Sequence, residues 1–200
     1  MGRARVGTTR RRGRIINRRK YSPRRAGKSA EGNGDRKAVR VEQHTVVDVK
    51  MMERALELAR HAASVEEIPV GAVVYETATG TIIGEGYNLR HTQRDPSAHA
   101  ELIAIRGAAK HAGDWRLDHC TLVVTLEPCP MCAGLIVNAR LGRVVYGCPD
   151  PKAGACDTLM RLTADPRLNH RVEPIGGVLA EESAELLRAF FRERRRMDGR

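Results

Sequence analysis

After Asp48 the spacing of apolar residues switches repeatedly between a helical and an extended period, and a chain patterned this way lays helices on a sheet. From Asp48 to Ser64, Met51, Met52, Ala55, Leu56, Leu58, Ala59 and Ala62 recur at helical spacing, with Glu53, Arg54, Glu57 and Arg60 between them. Core packing accounts for the two methionines. Pro69 to Glu76 and Thr81 to Tyr87 are β-branched runs joined by Thr77-Ala78-Thr79-Gly80, which punctuates a hairpin. Asp95-Pro96 predicts a helix start, with Asp as cap and Pro in the first turn, leading into a helix from Ala98 to His111. Cys120 to Leu126 reads as a buried strand, Pro128 to Ala139 as a helix and Gly142 to Gly147 as a further strand. A loop from Cys148 to Ala155, a short helical stretch near Asp157 to Leu162, a last strand over Val172 to Ile175 and a helix over Glu181 to Arg196 follow. The expected class is α/β, with no internal repeat.

Charge divides the chain more sharply than hydropathy does. Of 35 Lys+Arg and 24 Asp+Glu in 200 residues, 15 and 3 fall in residues 1–45, leaving 20 against 21 in residues 46–200. The first segment is rich in Arg and Gly and lacks apolar periodicity, so it is expected to be a disordered basic tail. Residues 46–200 match one domain of ordinary size. No stretch approaches 18 consecutive apolar residues and the N-terminus has no apolar signal region, so neither a membrane protein nor a secreted one is expected. The cytoplasm is the expected location. Three readings of the tail stand open: nonspecific RNA affinity, an upstream start codon that is not used, or an organelle-targeting leader, which only Ser22 and Ser29 would supply with serine.

The chemistry concentrates in two short segments. His99-Ala100-Glu101 and, 26 positions after Glu101, Glu127-Pro128-Cys129-Pro130-Met131-Cys132 offer one imidazole, two thiolates and an adjacent carboxylate. One His and two Cys make a three-ligand zinc set, which a catalytic site leaves open to water and a structural site closes with a fourth protein ligand. Cys148, Cys156 and His119 are conceivable fourth ligands. A closed site leaves Glu101 and both proline-initiated helix starts without a purpose. In an open site the carboxylate of Glu101 takes a proton from water and returns it to the substrate and leaving group, work that contributes roughly 10²- to 10⁴-fold. Helix N-termini at both ligand segments would stabilise the thiolates. One feature resists periodicity: residues two apart on a regular helix face different directions, so His99 and Glu101 converge only if the helix start is irregular. Of the remaining residues, Cys120 reads as a core residue, Trp115 as a partly buried anchor and Cys148 and Cys156 as packing; His44, His61 and His111 carry no signal.

The His-x-Glu and Pro-Cys-x-x-Cys segments resemble the signature of zinc-dependent nucleobase deaminases. The resemblance extends further. Glu67 to Val73, Gly84 to Asn88, Asp95 to Glu101, Leu126 to Cys129, Met131 to Gly134, Asn169 to Glu173 and Phe190 to Arg192 look like bacterial tRNA adenosine deaminases over roughly Asp48 to Arg196. The resemblance implies a three-layer α/β/α cytidine-deaminase-like fold with a five-stranded mixed sheet, a homodimer, one Zn(2+) per subunit, and conversion of the wobble adenosine of a tRNA anticodon to inosine. It assigns His99, Cys129 and Cys132 to zinc and Glu101 to the proton. Asn88 matches the asparagine that bonds the flipped base, and Val70, Ala100 and Leu126 match its pocket walls. Asp150, Lys152, Phe191 and Arg194 match positions that meet the anticodon stem-loop. Two departures stand out: Cys148-Pro149-Asp150-Pro151-Lys152-Ala153-Gly154 carries two prolines where the family more often has Ala-Arg-Asp-Ala-Lys-Thr-Gly, and Leu89-Arg90 replaces a more usual Arg-Pro.

Two other functions fit parts of this pattern. A deaminase of a free base or nucleoside, guanine or cytosine, shares the Pro128 to Cys132 segment, but has no evident use for the arginines at 192 and 194–196. A zinc-stabilised RNA-binding module without catalysis would leave Glu101 dispensable.

Overall fold

The computed structural model describes residues 44–199; the tail expected over residues 1–45 lies, except for His44 and Thr45, outside the described residues. The described chain runs α1 (Val46–Ser64), β1 (Gly71–Glu76), β2 (Ile82–Tyr87), α2 (Arg90–Gln93), α3 (Ala100–Ala112), β3 (Cys120–Leu126), α4 (Pro130–Asn138), β4 (Arg143–Cys148), β5 (Pro174–Ile175) and α5 (Ala180–Met197). The five strands form one mixed sheet ordered β2-β1-β3-β4-β5. β1 pairs antiparallel with β2 and β3, whereas β3, β4 and β5 run parallel.

Alternation along the strands sends side chains to two opposite cores. Ala72, Val74, Leu122, Val124 and Val144 pack with Ala100, Ala104, Ile105 and Ala108 of α3 and Ile136 of α4. Val73, Tyr75, Val123 and Val145 face the other way, against Met51, Met52, Ala55 and Leu56 of α1, with Leu186 of α5 at the edge. The result is helix, sheet, helix in three layers. The parallel half of the sheet matters for function: the segments leaving the carboxyl ends of β3 and β4 emerge side by side, the place where α/β sheets form ligand crevices.

Glycine sets how closely α3 approaches the sheet. A Cβ on Gly84 would lie 2.3 Å from the Ala104 carbonyl oxygen, and one on Gly86 would lie 2.4 Å from that of Ala100. Backbone therefore rests directly on backbone, and the first turn of α3 is held against β2.

Thr45 caps α1 and Asp48 completes the capping box, Thr45 N–H donating to its carboxylate at 2.6 Å. That carboxylate is fully buried and also accepts two bonds of 2.8 Å from the Arg143 guanidinium and one of 2.8 Å from the Tyr75 hydroxyl. Burial alone pushes the Asp48 carboxyl up, but Arg143, the Thr45 amide and Tyr75 outweigh it and bring it down from 3.8 to about 2. A depressed pKa stabilises the fold above the unfolded value, and that contribution, about 2 kcal/mol, is lost as pH falls from about 4 to about 2. Urea unfolding at several pH values checks this: Asp48→Asn should flatten the loss of stability between pH 5 and 2 by about that amount.

Two predicted elements and one predicted anchor differ from what is found, beside the short α2, which was not expected, and ends of α4 and β5 that shift by one or two residues. α3 begins at Ala100, not at Asp95-Pro96, because the Asp95 carboxylate accepts Ser97 N–H at 2.8 Å and the Ser97 hydroxyl at 2.7 Å in a local turn. The helical stretch near Asp157 to Leu162 is a run of turns followed by one 3-10 turn at Leu162–Ala164. Its amides at Asp157 and Thr158 bond to the Glu127 carboxylate instead of to a preceding helical turn. Trp115 is 58% exposed and does not anchor the core; its ring carries the Arg116 guanidinium 5.6 Å from its centroid.

Candidate active site

Each ligand residue sits at the mouth of a helix. His99 is the N-cap of α3, in extended conformation, with its carbonyl accepting Ile103 N–H at 3.1 Å. Cys129 is likewise the N-cap of α4, with Pro130 at the first helical position and its carbonyl accepting Ala133 N–H at 2.8 Å. Because His99 precedes the helix while Glu101 lies in its first turn, the two need not obey helical spacing. That resolves how residues two apart reach one site.

His99 Nδ1 lies 3.7 Å from the Sγ atoms of both Cys129 and Cys132, and the three ligand atoms all fall within 4.8 Å of one another. Nitrogen and sulfur on one tetrahedral zinc stand about 3.6 Å apart, so the donor set fits that ion. Among the described residues no further His, Cys, Asp or Glu joins the cluster. None of the three conceivable fourth ligands joins the cluster: Cys148 lines the same cavity but directs its thiol at the Thr125 carbonyl, Cys156 is buried, and His119 lies 3.5 Å from Asp118. A hydrogen bond from Cys132 holds the Cys129 thiol down to about 4, and the same bond, with burial, pushes Cys132 up. Burial also raises the Glu101 carboxyl above its ordinary range.

A cavity of about 600 Å³ opens over these groups. His99, Glu101 and Cys129 line it, whereas Cys132, beside His99, is fully buried and does not line it. Val70, Ala100 and Leu126 line it, as does Asn88, a buried amide at the end of β2. Asp150 and Lys152 reach it from the segment after β4, and Phe191 reaches it from α5. Arg194 does not reach the cavity: it lies one helical turn beyond Phe190, with its guanidinium 6.0 Å from that ring. The arginine run is also partly paired within its own helix, Arg192 to Glu185 at 2.7 Å and Arg196 to Glu193 at 3.2 Å.

Several residues of the site receive no role of their own from the sequence, although Glu67 and Glu127 stand in segments singled out there. Glu67 is fully buried and accepts Asn88 Nδ2–H at 2.9 Å and Thr92 N–H at 2.7 Å, so it fixes which way the Asn88 amide faces. Glu127 is buried at the end of β3 and binds the segment after β4. Leu187 and Arg188 line the cavity beside Phe191, a helical face that the spacing 187, 188, 191 displays once the helix is known to face the site. Arg90 lines it as well.

Hydrolytic removal of an amine needs a site for an activated water, a carboxylate to move protons and a dry pocket for a planar ring. The cavity sets a possible metal-holding His/Cys/Cys group and a buried carboxylate beside apolar walls, and with the three-layer α/β/α sheet this arrangement is that of a deaminase of the cytidine-deaminase-like fold. Residues 47–195 match the MafB19-like deaminase family. The chain is 51% identical over 148 residues to the tRNA-specific adenosine deaminase of Haemophilus influenzae, spanning 74% of this chain and 85% of that protein. It is 47% identical over 149 residues to the protein of the same name from Bacillus subtilis, spanning 74% and 91%. A solved structure from a study of A-to-I editing by tRNA:A34 deaminases at the wobble position of transfer RNA superposes with a TM-score of 0.66 at 40% identity, covering 69% of this chain and 99% of that one. The chain belongs to the tRNA-specific adenosine deaminase family.

Proposed function

We propose that this protein converts adenosine to inosine at the wobble position of a tRNA anticodon, consuming one water and releasing ammonia. The observation that carries the reading is the cluster of the His99, Cys129 and Cys132 donors, with His99 and Cys129 opening on the same cavity as the Glu101 carboxylate and the Asn88 amide. Family membership, with relatives named for the same activity, supports it. His99, Cys129 and Cys132 would hold one zinc ion, which supplies a Lewis acid that acidifies water at neutral pH. Glu101 takes one proton from the attacking water and delivers it to N1 of the adenine, then carries the second, from the hydroxyl now on C6, to the amino nitrogen as the C6–N bond breaks, C6=O forms and ammonia leaves. Val70 and Leu126 enclose the ring from the sheet side and Ala100 closes the pocket beside the helix, which limits water around the reacting carbon. Asn88 holds the edge of the base with the part of its amide that Glu67 leaves available.

Glu67 thus acts through Asn88. With Glu67→Ala, kcat/KM for an adenosine-containing stem-loop should fall about ten- to a hundredfold, the range for losing hydrogen bonds to a charged group. Steady-state kinetics on a variant shown to fold by circular dichroism would measure it; an unchanged value would remove Asn88 orientation from the account.

An anticodon loop presents an unstacked base at low cost, as recognition of a flipped nucleotide requires. Asp150 and Lys152 would contact the RNA around the target base, and Phe191 and Arg194 would meet the anticodon loop from α5. The enzyme is assigned to the cytoplasm as a homodimer; among the described residues no helix is long and apolar enough to cross a membrane. The basic segment over residues 1–45 adds nonspecific RNA affinity, so its deletion should reduce the salt dependence of tRNA binding. The deciding experiment offers the protein an anticodon stem-loop, free adenosine, guanine and cytidine. Inosine in the stem-loop alone is the expected result. Turnover of guanine or cytidine would overturn it in favour of a free-base enzyme, and RNA binding without turnover would indicate a non-catalytic module.

A further inference from the structure

The segment between β4 and the 3-10 turn has little regular structure, yet most of its backbone amides have a partner. Glu127 carries the largest share. Its Oε1 accepts the N–H groups of Cys156 at 3.1 Å, Asp157 at 2.7 Å and Thr158 at 2.9 Å. Its Oε2 accepts Asp150 N–H at 3.1 Å and the Thr158 hydroxyl. Five donors from one segment therefore converge on a single carboxylate that is only 2% exposed. The fit leaves no room: a Cβ on Gly154 would lie 2.3 Å from Oε2. Flanking bonds tie the same pieces of chain together, Glu127 N–H to the Cys148 carbonyl and Ala155 N–H to the Pro128 carbonyl, both at 2.9 Å.

Pro149 and Pro151 remove two amides from this segment, but neither stands where Glu127 needs a donor. Between them Asp150 N–H bonds to Glu127, and the Asp150 side chain accepts Lys152 N–H at 2.9 Å. The residues at the cavity rim, Asp150 and Lys152, are thus placed by one buried acid that itself makes no bond to either of their side chains.

We propose that Glu127 is a positioning residue for substrate recognition, which clasps residues 150–158 and so presents Asp150 and Lys152 to the RNA around the target base. A buried carboxylate serving the core alone would, when altered, lower stability or disturb Cys129 two residues on. Glu127 itself lines the cavity, but each hydrogen bond to its carboxylate comes from residues 150–158, so a clasp for the rim would change how well RNA binds and leave His99, Glu101 and Cys129 in place. The inference rests on the RNA-contact role proposed above for Asp150 and Lys152.

The test uses the full-length, metal-loaded protein and an adenosine-containing anticodon stem-loop. In Glu127→Gln one oxygen becomes an NH₂ that cannot accept, so KM should rise about tenfold or more. The single-turnover rate at saturating RNA should stay within about threefold and the metal content should be unchanged. Thr158→Val removes one donor and gives a milder variant that keeps the test open if the first fails to fold; it should raise KM about threefold. Amide hydrogen exchange supplies a readout that needs no RNA: the amides of Asp150, Cys156, Asp157 and Thr158 should exchange slowly in the parent and faster in both variants. Exchange of those amides at the rate of open loops in the parent would overturn the proposal, as would unchanged KM in both variants or a fall in turnover with loss of metal. If the amides are protected but the parent protein does not deaminate the stem-loop, the functional reading fails and so does the recognition role, while the clasp itself stands.

Discussion

Glu101→Gln is expected to reduce inosine formation by about 10³-fold or more while the protein keeps its fold and its metal content. The general acid–base range of roughly 10² to 10⁴ applies to one proton transfer, and here the same carboxylate serves at least two. Glutamine retains the size of the side chain in the first turn of α3 but can neither take a proton from water nor release one to N1 of the base. His99 and Cys129 are held at the two helix mouths as N-caps, a backbone placement that the substitution leaves in place. Single-turnover assays with saturating stem-loop, alongside metal analysis of the same sample, would measure the effect. Residual activity within tenfold of the parent would transfer the proton role to another group, and loss of metal together with activity would make Glu101 a ligand.

The second large effect concerns the donor set. Cys132→Ser should abolish retention of zinc through gel filtration and reduce activity below detection, because a hard, poorly ionised hydroxyl replaces a thiolate that lies 3.7 Å from His99 Nδ1. Cys132 is fully buried and does not line the cavity, so substrate contact cannot explain such a loss. Dialysis of the parent protein against a strong chelator should have the same effect on activity, and added zinc should restore it in the parent but not in the variant. The thermal midpoint provides an independent measure: metal that binds only the folded state raises it, so the chelated protein should melt earlier. Full activity in a metal-free sample would remove the ion from the account altogether.

Much of this site was legible in the residues alone, for a physical reason. A metal demands particular side-chain types at short spacings, and the Cys129, Cys132 pair with His99 and Glu101 shows them openly. A sheet with helices packed on it was legible too, the three layers being what the family resemblance implied, and Val73 and Val74 or Val123 and Val124 do face opposite cores as alternation requires. What escaped were residues whose partners are backbone. Glu67 and Glu127 bind amides 23 to 31 positions away, and an amide has no signature in a sequence. The start of α3 was misplaced for a related reason. An aspartate followed by proline can cap a helix or close a turn, and the Asp95 carboxylate turned to Ser97. Trp115 shows the limit of arguing from size, as a large ring is buried only where neighbours exist to cover it.

The contact of Gly84 and Gly86 with the carbonyls of α3 bears on how such an enzyme could be retargeted. With two glycines seated under that helix, an engineer has no slack with which to tilt Glu101 toward a differently shaped nucleobase, and a side chain at either position would pry the layers apart. Libraries aimed at new substrates are better spent on the proline-bearing rim and on the exposed flank of the terminal helix, where change reaches the visitor without disturbing the hearth.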